Sequence, residues 1–196
     1  MASDDLCKER AVVRALAGAG VAVSVNMYEI DWVGSGKDAV CDGVVAVMEN
    51  GGEFSLKGRV MEGSVALEVG ARMTEILKQV HQLGILHLDT NMGNFVFSDP
   101  ADIPGTLRII DFGFAKRLFD ESTWTIKPAS PTASPLAQVA RKRDVLTALT
   151  FLRLLVAPGH PRADTVLKDV MEELRKGSPN EEPMYDEIAE KLRLAK

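Results

Sequence analysis

Two short segments decide the fold of this chain: residues 87–94, which read His-Leu-Asp-Thr-Asn-Met-Gly-Asn, and residues 111–113, which read Asp-Phe-Gly. The first segment satisfies the pattern His-x-Asp-x-x-x-x-Asn and follows a stretch with helical periodicity. The second follows the apolar run 107–110, which is typical of a β-strand. Either segment alone is a weak signal, but their order and the elements in front of them make the combination specific.

In this combination the sequence resembles the protein kinases, which carry the same catalytic-loop pattern and the same Asp-Phe-Gly metal motif. The resemblance implies that Asp89 accepts a hydrogen bond from the incoming hydroxyl and takes its proton. It also implies that Asn94 and Asp111 bind Mg²⁺ through an amide oxygen and a carboxylate, which are hard oxygen ligands. His87 would then be structural, and Gly113 would let the backbone turn beneath the metal.

The resemblance extends upstream to the stretch Val-Val-Ala-Val-Met-Glu-Asn-Gly that ends at Gly51. This stretch looks like the last strand of a kinase N-lobe running into the hinge. Met48 would be the gatekeeper, and backbone groups of Glu49 and Gly51 would face the adenine of ATP. Val96 and Ile110 would contribute to the same nucleotide pocket. By itself the stretch is typical of an ordinary buried strand, and the downstream motifs favour the hinge.

Two further carboxylates receive supporting roles from the same resemblance. Asp144 opens the helix predicted over residues 144–156 and resembles the residue that holds the catalytic-loop backbone, a role compatible with a helix N-cap. Glu9 would be the ion-pairing glutamate of the kinase C-helix, although the helical spacing alone favours a residue at the edge of an apolar stripe. Residues 9–16 are similar to the compact RIO-type and other atypical kinases.

The chain departs from the kinase pattern at several positions. Only eight residues precede Glu9, and they hold neither a glycine-rich loop nor a lysine strand, so the sequence predicts an N-terminally truncated kinase domain. Lys37 ends a Gly-Ser-Gly-Lys run that lacks phosphate-loop spacing, and a hairpin turn is favoured there. Leu88 replaces the usual Arg that would clamp a phosphorylated activation loop. Asn91 stands where serine/threonine kinases usually carry a Lys near the transferred phosphate.

Composition restricts the class of protein. With 196 residues, 46% hydrophobic and 26% charged, the chain fits one domain or two small lobes around a cleft. Its net charge of −5 disfavours a nucleic-acid partner, and the basic run 141–143 is predicted to be a solvated helix entrance. Cys7 and Cys41 lack neighbours at metal-ligand spacing. The absence of a secretory leader and of a membrane-length apolar run predicts a soluble cytoplasmic chain without a membrane partner.

Hydrophobic periodicity and turn residues predict mixed α/β structure first and helices last. The predicted elements are a first helix that is capped at residue 3 or 4 and runs to about residue 17, strands at 21–32 and 40–48 joined by a turn at 33–38, a helix at 64–83, a β-pair at 95–97 and 107–110 around a turn at 100–105, an irregular loop at 119–138, and helices at 144–156, 163–176 and 182–194.

These observations predict an α+β, protein-kinase-like fold. A reduced N-lobe of one helix and short antiparallel strands would occupy residues 1–50, with the hinge at 48–51, and a mainly helical C-lobe would occupy residues 52–196. The predicted function is ATP- and Mg²⁺-dependent phosphoryl transfer to a hydroxyl, in the manner of a serine/threonine protein kinase, with a protein substrate or partner kinase. Two alternatives stay open. The missing lysine strand indicates a pseudokinase that binds a partner kinase, and Gly93 before the loop asparagine indicates a small-molecule kinase of the aminoglycoside or choline type.

Overall fold

The computed structural model describes residues 12, 16, 54–116, 135–178 and 183–196, and the backbone alone of residues 26–29, 32–33, 40–41, 44–47 and 117. The described part is an α+β fold that is mainly helical. In chain order its elements are β1 (Asn26–Glu29), β2 (Trp32–Val33), β3 (Val40–Cys41), β4 (Val44–Val47), β5 (Phe54–Ser55), α1 (Gly63–Gln82), β6 (Ile85–Leu86), a short 3₁₀ helix (Met92–Asn94), β7 (Phe95–Phe97), α2 (Ile103–Thr106), β8 (Arg108–Ile109), β9 (Lys116–Arg117), α3 (Pro135–Arg153), α4 (Pro161–Lys176) and α5 (Tyr185–Leu194).

The strands before residue 48 pair as two antiparallel ladders, β1 with β4 and β2 with β3. The pairing confirms the predicted antiparallel arrangement of two strand segments joined by a turn. Leu16, from the first predicted helix, is helical and fully buried. The predictions for Glu9 and Lys37 fall outside the described residues.

A three-stranded antiparallel sheet, in the order β5-β7-β8, lies beside the catalytic-loop segment. Phe54 and Phe97 face each other across β5 and β7, and their rings stack with centroids 5.6 Å apart. A separate ladder joins β6 to β9. Because β6 leads into residue 87 while β8 and β9 flank residues 111–113, the two motif segments meet at neighbouring strand ends.

Helix α1 confirms the helix predicted at 64–83. Apolar residues recur along it every three or four positions, which gives one continuous buried face. Gly84 lies two residues after the end of the helix, and its φ of 73° is a left-handed conformation that glycine adopts without strain. Gly70 has a packing role, since a Cβ there would lie 2.9 Å from Leu152 and 3.3 Å from Leu192. The missing side chain thus lets α3 and α5 approach α1 closely.

Helix α3 begins at Pro135, nine residues before the predicted start, so the predicted loop 119–138 and helix 144–156 are both wrong at this boundary. Proline suits the first turn of a helix because its missing N–H has no partner there in any case. The prediction of a solvated basic run is also wrong: Arg141 and Lys142 are buried. Arg141 donates to the carbonyl of His81 at 3.2 Å, and Lys142 donates to the carbonyl of Ser178. Each buried charge therefore has an oxygen acceptor.

The β-pair around residues 100–105 is confirmed, with one difference in the connection. A single helical turn, α2, occupies the end of the predicted turn. Asp102 caps it by accepting a hydrogen bond from the backbone N–H of Gly105 at 2.9 Å, a local bond that competes well with an open turn.

The core lies where α1 packs against α3, α4 and α5, and apolar residues of the three-stranded sheet belong to the same buried cluster. Helices α4 and α5 confirm the predicted helices at 163–176 and 182–194 within three residues. Burial of each large apolar side chain contributes about 1.5–3 kcal/mol to stability. The fully buried members include Leu67, Met73, Ile76, Leu77, Phe95, Phe97, Ile109 and Leu149. Among the described helices, none is both long and apolar enough to cross a membrane.

Candidate active site

Asp89 has a carboxylate that two asparagine side chains hold. Asn94 donates from its side-chain amide to Oδ2 of Asp89 at 3.0 Å and to the Asp89 carbonyl at 2.8 Å. Asn91 donates from its amide to Oδ1 at 2.9 Å. An ionised carboxylate only accepts hydrogen bonds and has about four lone-pair sites. Two amide hydrogens therefore orient the group and leave it able to accept a hydrogen bond from a further hydroxyl.

His87 is buried and links the two motif segments. Its Nε2 lies 3.0 Å from the carbonyl of Ile110, and its Nδ1 accepts from the backbone N–H of Asp89 at 3.3 Å. Its ring packs against that of Phe112, with centroids 4.7 Å apart. Burial lowers the pKa of His87 below 6.5, more than the nearby carboxylates raise it. A neutral ring with its hydrogen on Nε2 satisfies both hydrogen bonds. His87 therefore holds the two motif segments in a fixed relative position.

Asp144 holds the backbone of the predicted catalytic loop, residues 87–94, from α3. Its Oδ2 accepts from the N–H of His87 at 2.9 Å, and its Oδ1 accepts from the N–H of Leu88 at 3.0 Å. The side chain of Thr90 donates to the Asp144 carbonyl at 2.8 Å. Leu88 has a φ of 65°, which is strained for a residue with a branched side chain, and these bonds stabilise that conformation. The predicted N-cap position is wrong, because α3 begins nine residues earlier and Asp144 lies in its interior.

Sequence reasoning missed His81 and Tyr185, which extend the Asp144 contacts to the last helix. Nε2 of His81 lies 3.0 Å from Oδ2 of Asp144, and Nδ1 lies 2.6 Å from the hydroxyl of Tyr185. All three side chains are buried. The one available signal was a histidine on the apolar face of α1, and no local pattern could pair it with a tyrosine 104 positions away.

Asp111 follows β8 and is exposed beside the loop. Ile110, the residue before Asp111, has both backbone groups hydrogen-bonded. Its N–H donates to the carbonyl of Asn94 at 2.9 Å, and its carbonyl accepts from His87. These contacts hold the backbone of the residue before Asp111 against Asn94 and His87. The backbone turns at Gly113 as predicted, where the N–H of Ala115 donates to the carbonyl of Phe112 at 2.9 Å, and Asp111 adds a left-handed φ of 62°. Oδ1 of Asp111 accepts from the N–H of Gly113 at 3.2 Å, and this side-chain bond stabilises the unusual backbone.

The donor set fits Mg²⁺ at Asn94 and Asp111. The side-chain nitrogen of Asn94 must face Asp89, because both atoms that it contacts there are hydrogen-bond acceptors. The side-chain oxygen of Asn94 therefore occupies the other position of the amide group. Asp111 adds an exposed carboxylate. Magnesium takes one or two such ligands together with phosphate oxygens and water. Within the described part of the chain, no group of three or more His, Cys, Asp or Glu side chains could hold a metal by itself.

The chain is similar to several ribosomal protein S6 kinases. It is 35% identical to human ribosomal protein S6 kinase alpha-2 over 89 residues, which are 42% of this chain and 12% of that protein. It is 33% identical to mouse alpha-2 and 32% identical to human alpha-3, each over 115 residues and 55% of this chain. This distant, partial similarity supports membership of the protein-kinase-like superfamily. No family model matches it.

This kinase-like chain spans only a small part of the curated relatives that it matches, 16% of mouse alpha-2 and 15% of human alpha-3. Of the predicted nucleotide-binding residues, Val96 is buried in β7 and Ile110 is half-buried between β8 and the metal motif. Met48, Glu49 and Gly51 lie outside the described residues.

Proposed function

We propose that this chain transfers the γ-phosphoryl group of Mg²⁺-ATP to a hydroxyl group, as a serine/threonine-kinase-like phosphotransferase. The observation that carries the proposal is the arrangement around Asn94. Its amide nitrogen orients Asp89 at 3.0 Å, and its carbonyl fixes the residue before Asp111 at 2.9 Å. One residue thus connects the base to the metal ligands, which suits a reaction that depends on positioning and charge neutralisation.

Each residue has a role in this reaction. Asp89 accepts a hydrogen bond from the acceptor hydroxyl and receives its proton. The hydroxyl oxygen forms a bond to the γ-phosphorus while the bond from phosphorus to the ADP oxygen breaks, and ADP leaves with that electron pair. Asn94 and Asp111 would hold Mg²⁺, which would neutralise the negative charge of the phosphate groups. His87 and Asp144 hold the loop in position.

The domain organisation belongs to the same proposal. Residues 1–50 form a reduced N-lobe and residues 52–196 a C-lobe, with the hinge at 48–51. Adenine binds between the hinge, at Met48, Glu49 and Gly51, and the C-lobe side chains Val96 and Ile110. Glu9 belongs to the N-lobe helix.

The acceptor class rests on the named relatives, which are ribosomal protein S6 kinases. We propose a serine or threonine hydroxyl on a protein as the acceptor. The structure gives Gly93 a role that does not depend on a small-molecule acceptor: a Cβ at this position would lie 2.9 Å from Oδ1 of Asn91. The glycine therefore has a packing reason within the loop.

The test is transfer of label from radioactive ATP with Mg²⁺ to a generic protein substrate, to choline and to an aminoglycoside. Asp89→Asn should abolish transfer but leave nucleotide binding nearly intact, whereas Asp111→Asn should weaken both. Asp169→Asn is the matched control, because Asp169 is an exposed carboxylate on α4 away from the loop. Absence of label on every acceptor with the wild type would contradict the proposal and favour a partner-binding pseudokinase. Equal label with Asp89→Asn would indicate a contaminating kinase.

A further inference from the structure

Asn91 makes three hydrogen bonds that connect the turn of the loop to the carboxylate of Asp89. Its amide nitrogen donates to Oδ1 of Asp89 at 2.9 Å, and its amide oxygen accepts from the N–H of Gly93 at 2.8 Å. Its carbonyl accepts from the N–H of Asn94 at 3.1 Å. The Gly93 contact determines which way the amide faces, because a backbone N–H requires an oxygen. The nitrogen is thereby directed at Asp89.

Gly93 is part of this arrangement. Its φ is not in the left-handed region, so an alanine there would meet no backbone strain. The obstacle is Oδ1 of Asn91, which would lie 2.9 Å from the new Cβ, closer than real contacts of this kind. An alanine at position 93 would therefore displace the amide of Asn91 and, with it, the donor to Asp89.

We propose that Asn91 is a positioning residue for the base: it holds one carboxylate oxygen of Asp89 so that the other lone pairs face the acceptor hydroxyl, and Gly93 makes the space that this requires. The inference rests on the proposed phosphotransferase function. The inference gives a role to Asn91, which stands where serine/threonine kinases usually carry a lysine. Here a neutral amide orients the base, and no cation is supplied to the phosphate from this position.

Asp and Asn are about equally good at capping a short helix through an acceptor oxygen. Asn91→Asp therefore keeps the bond from Gly93, but it replaces the donor to Asp89 by a second carboxylate that repels the first. If Asn91 positions the base, Asn91→Asp should lower kcat about tenfold or more, with KM for ATP changed less than about threefold. A kcat equal to that of the wild type would overturn the proposal.

A double-mutant cycle tests the link to Gly93. Asn91→Ala and Gly93→Ala should each lower kcat, and Gly93→Ala should have no further effect in the Asn91→Ala background. Additive losses would overturn the proposed coupling. The chain offers a matched control in Gly105, whose Cβ would collide with the capping carboxylate of Asp102 outside the site. Gly105→Ala should lower the melting temperature and leave kcat unchanged.

A readout without turnover separates this inference from the proposed function. In ¹H–¹⁵N NMR spectra of the full chain, the side-chain amide signals of Asn91 should move on Asp89→Asn and on Gly93→Ala, and stay in place on Gly105→Ala. If the wild type transfers no phosphate to any acceptor but these signals move, the proposed function fails while the contact stands. Signals that do not respond to Asp89→Asn would overturn the inference whatever the activity.

Discussion

The hydroxyl of Tyr185 lies 2.6 Å from Nδ1 of His81, and this contact joins the last helix, α5, to the helix that leads into the catalytic loop. The other ring nitrogen of His81 lies 3.0 Å from Asp144, whose two carboxylate oxygens accept from the N–H groups of His87 and Leu88. A continuous set of buried hydrogen bonds therefore runs from the C-terminal helix to the backbone of the candidate active site.

Tyr185→Phe removes the hydroxyl and keeps the ring in the core. We expect the free energy of unfolding to fall by about 1–2 kcal/mol, because the buried hydrogen bond between Tyr185 and His81 is lost. Urea denaturation measures the change. Asp186→Asn is the control on the same helix. It weakens the exposed ion pair with Lys78, which should contribute less than about 1 kcal/mol. Equal effects of the two variants would contradict a special role for the buried contact.

Asp144→Asn should destabilise the fold strongly. Both carboxylate oxygens of Asp144 accept from backbone N–H groups, so an amide must turn its own hydrogens toward one of them. We expect a loss of about 3 kcal/mol in the free energy of unfolding. Hydrogen exchange at the amide of Leu88 should also become faster, since its strained conformation loses its acceptor. An unchanged exchange rate at Leu88 would show that the loop is held by other contacts.

His87 should make the free energy of unfolding depend on pH. Burial lowers its pKa in the folded protein below the ordinary value of 6.5. Below that pH the unfolded chain binds a proton that the folded protein does not, so stability falls as the pH falls. His87→Gln can retain a donor to Ile110 but cannot titrate. We expect this variant to be less stable at neutral pH, and to show a smaller decrease in the free energy of unfolding below about pH 6.5. Parallel pH profiles of the variant and the wild type would contradict the prediction.

Asp111→Asn tests the metal site directly. We expect ATP with Mg²⁺ to raise the melting temperature of the wild type, and the Mg²⁺-dependent part of that shift to disappear in the variant, because a charged ligand to the metal is lost. Asp169→Asn, on the surface of α4, should behave as the wild type. A large ATP shift that does not depend on Mg²⁺ in the wild type would mean that Asn94 and Asp111 do not hold the metal.

Local sequence predicted those features that depend on near neighbours. The periodicity of α1, the glycine that follows it and the β-pair in front of residues 111–113 are all encoded by residues close together in the sequence. Prediction from sequence failed where a residue far away in the chain decides whether a polar side chain is buried or exposed. The run Arg141-Lys142 looks solvated by composition, yet both side chains are buried because the carbonyls of His81 and Ser178 accept their hydrogens.

The sequence by itself determined the order of the two motif segments, and thereby the candidate base and metal ligands, because these residues are spaced within one loop and one strand end. Only the tertiary structure decided how Asp89 is oriented and what supports it. The turn at Gly93 directs Asn91 toward the carboxylate. Packing of α3 and α5 against α1 brings Asp144 and Tyr185 to His81 from positions 63 and 104 residues further along the chain. Such contacts form because burial forces polar groups to find partners in space, and no local periodicity encodes which partner that is.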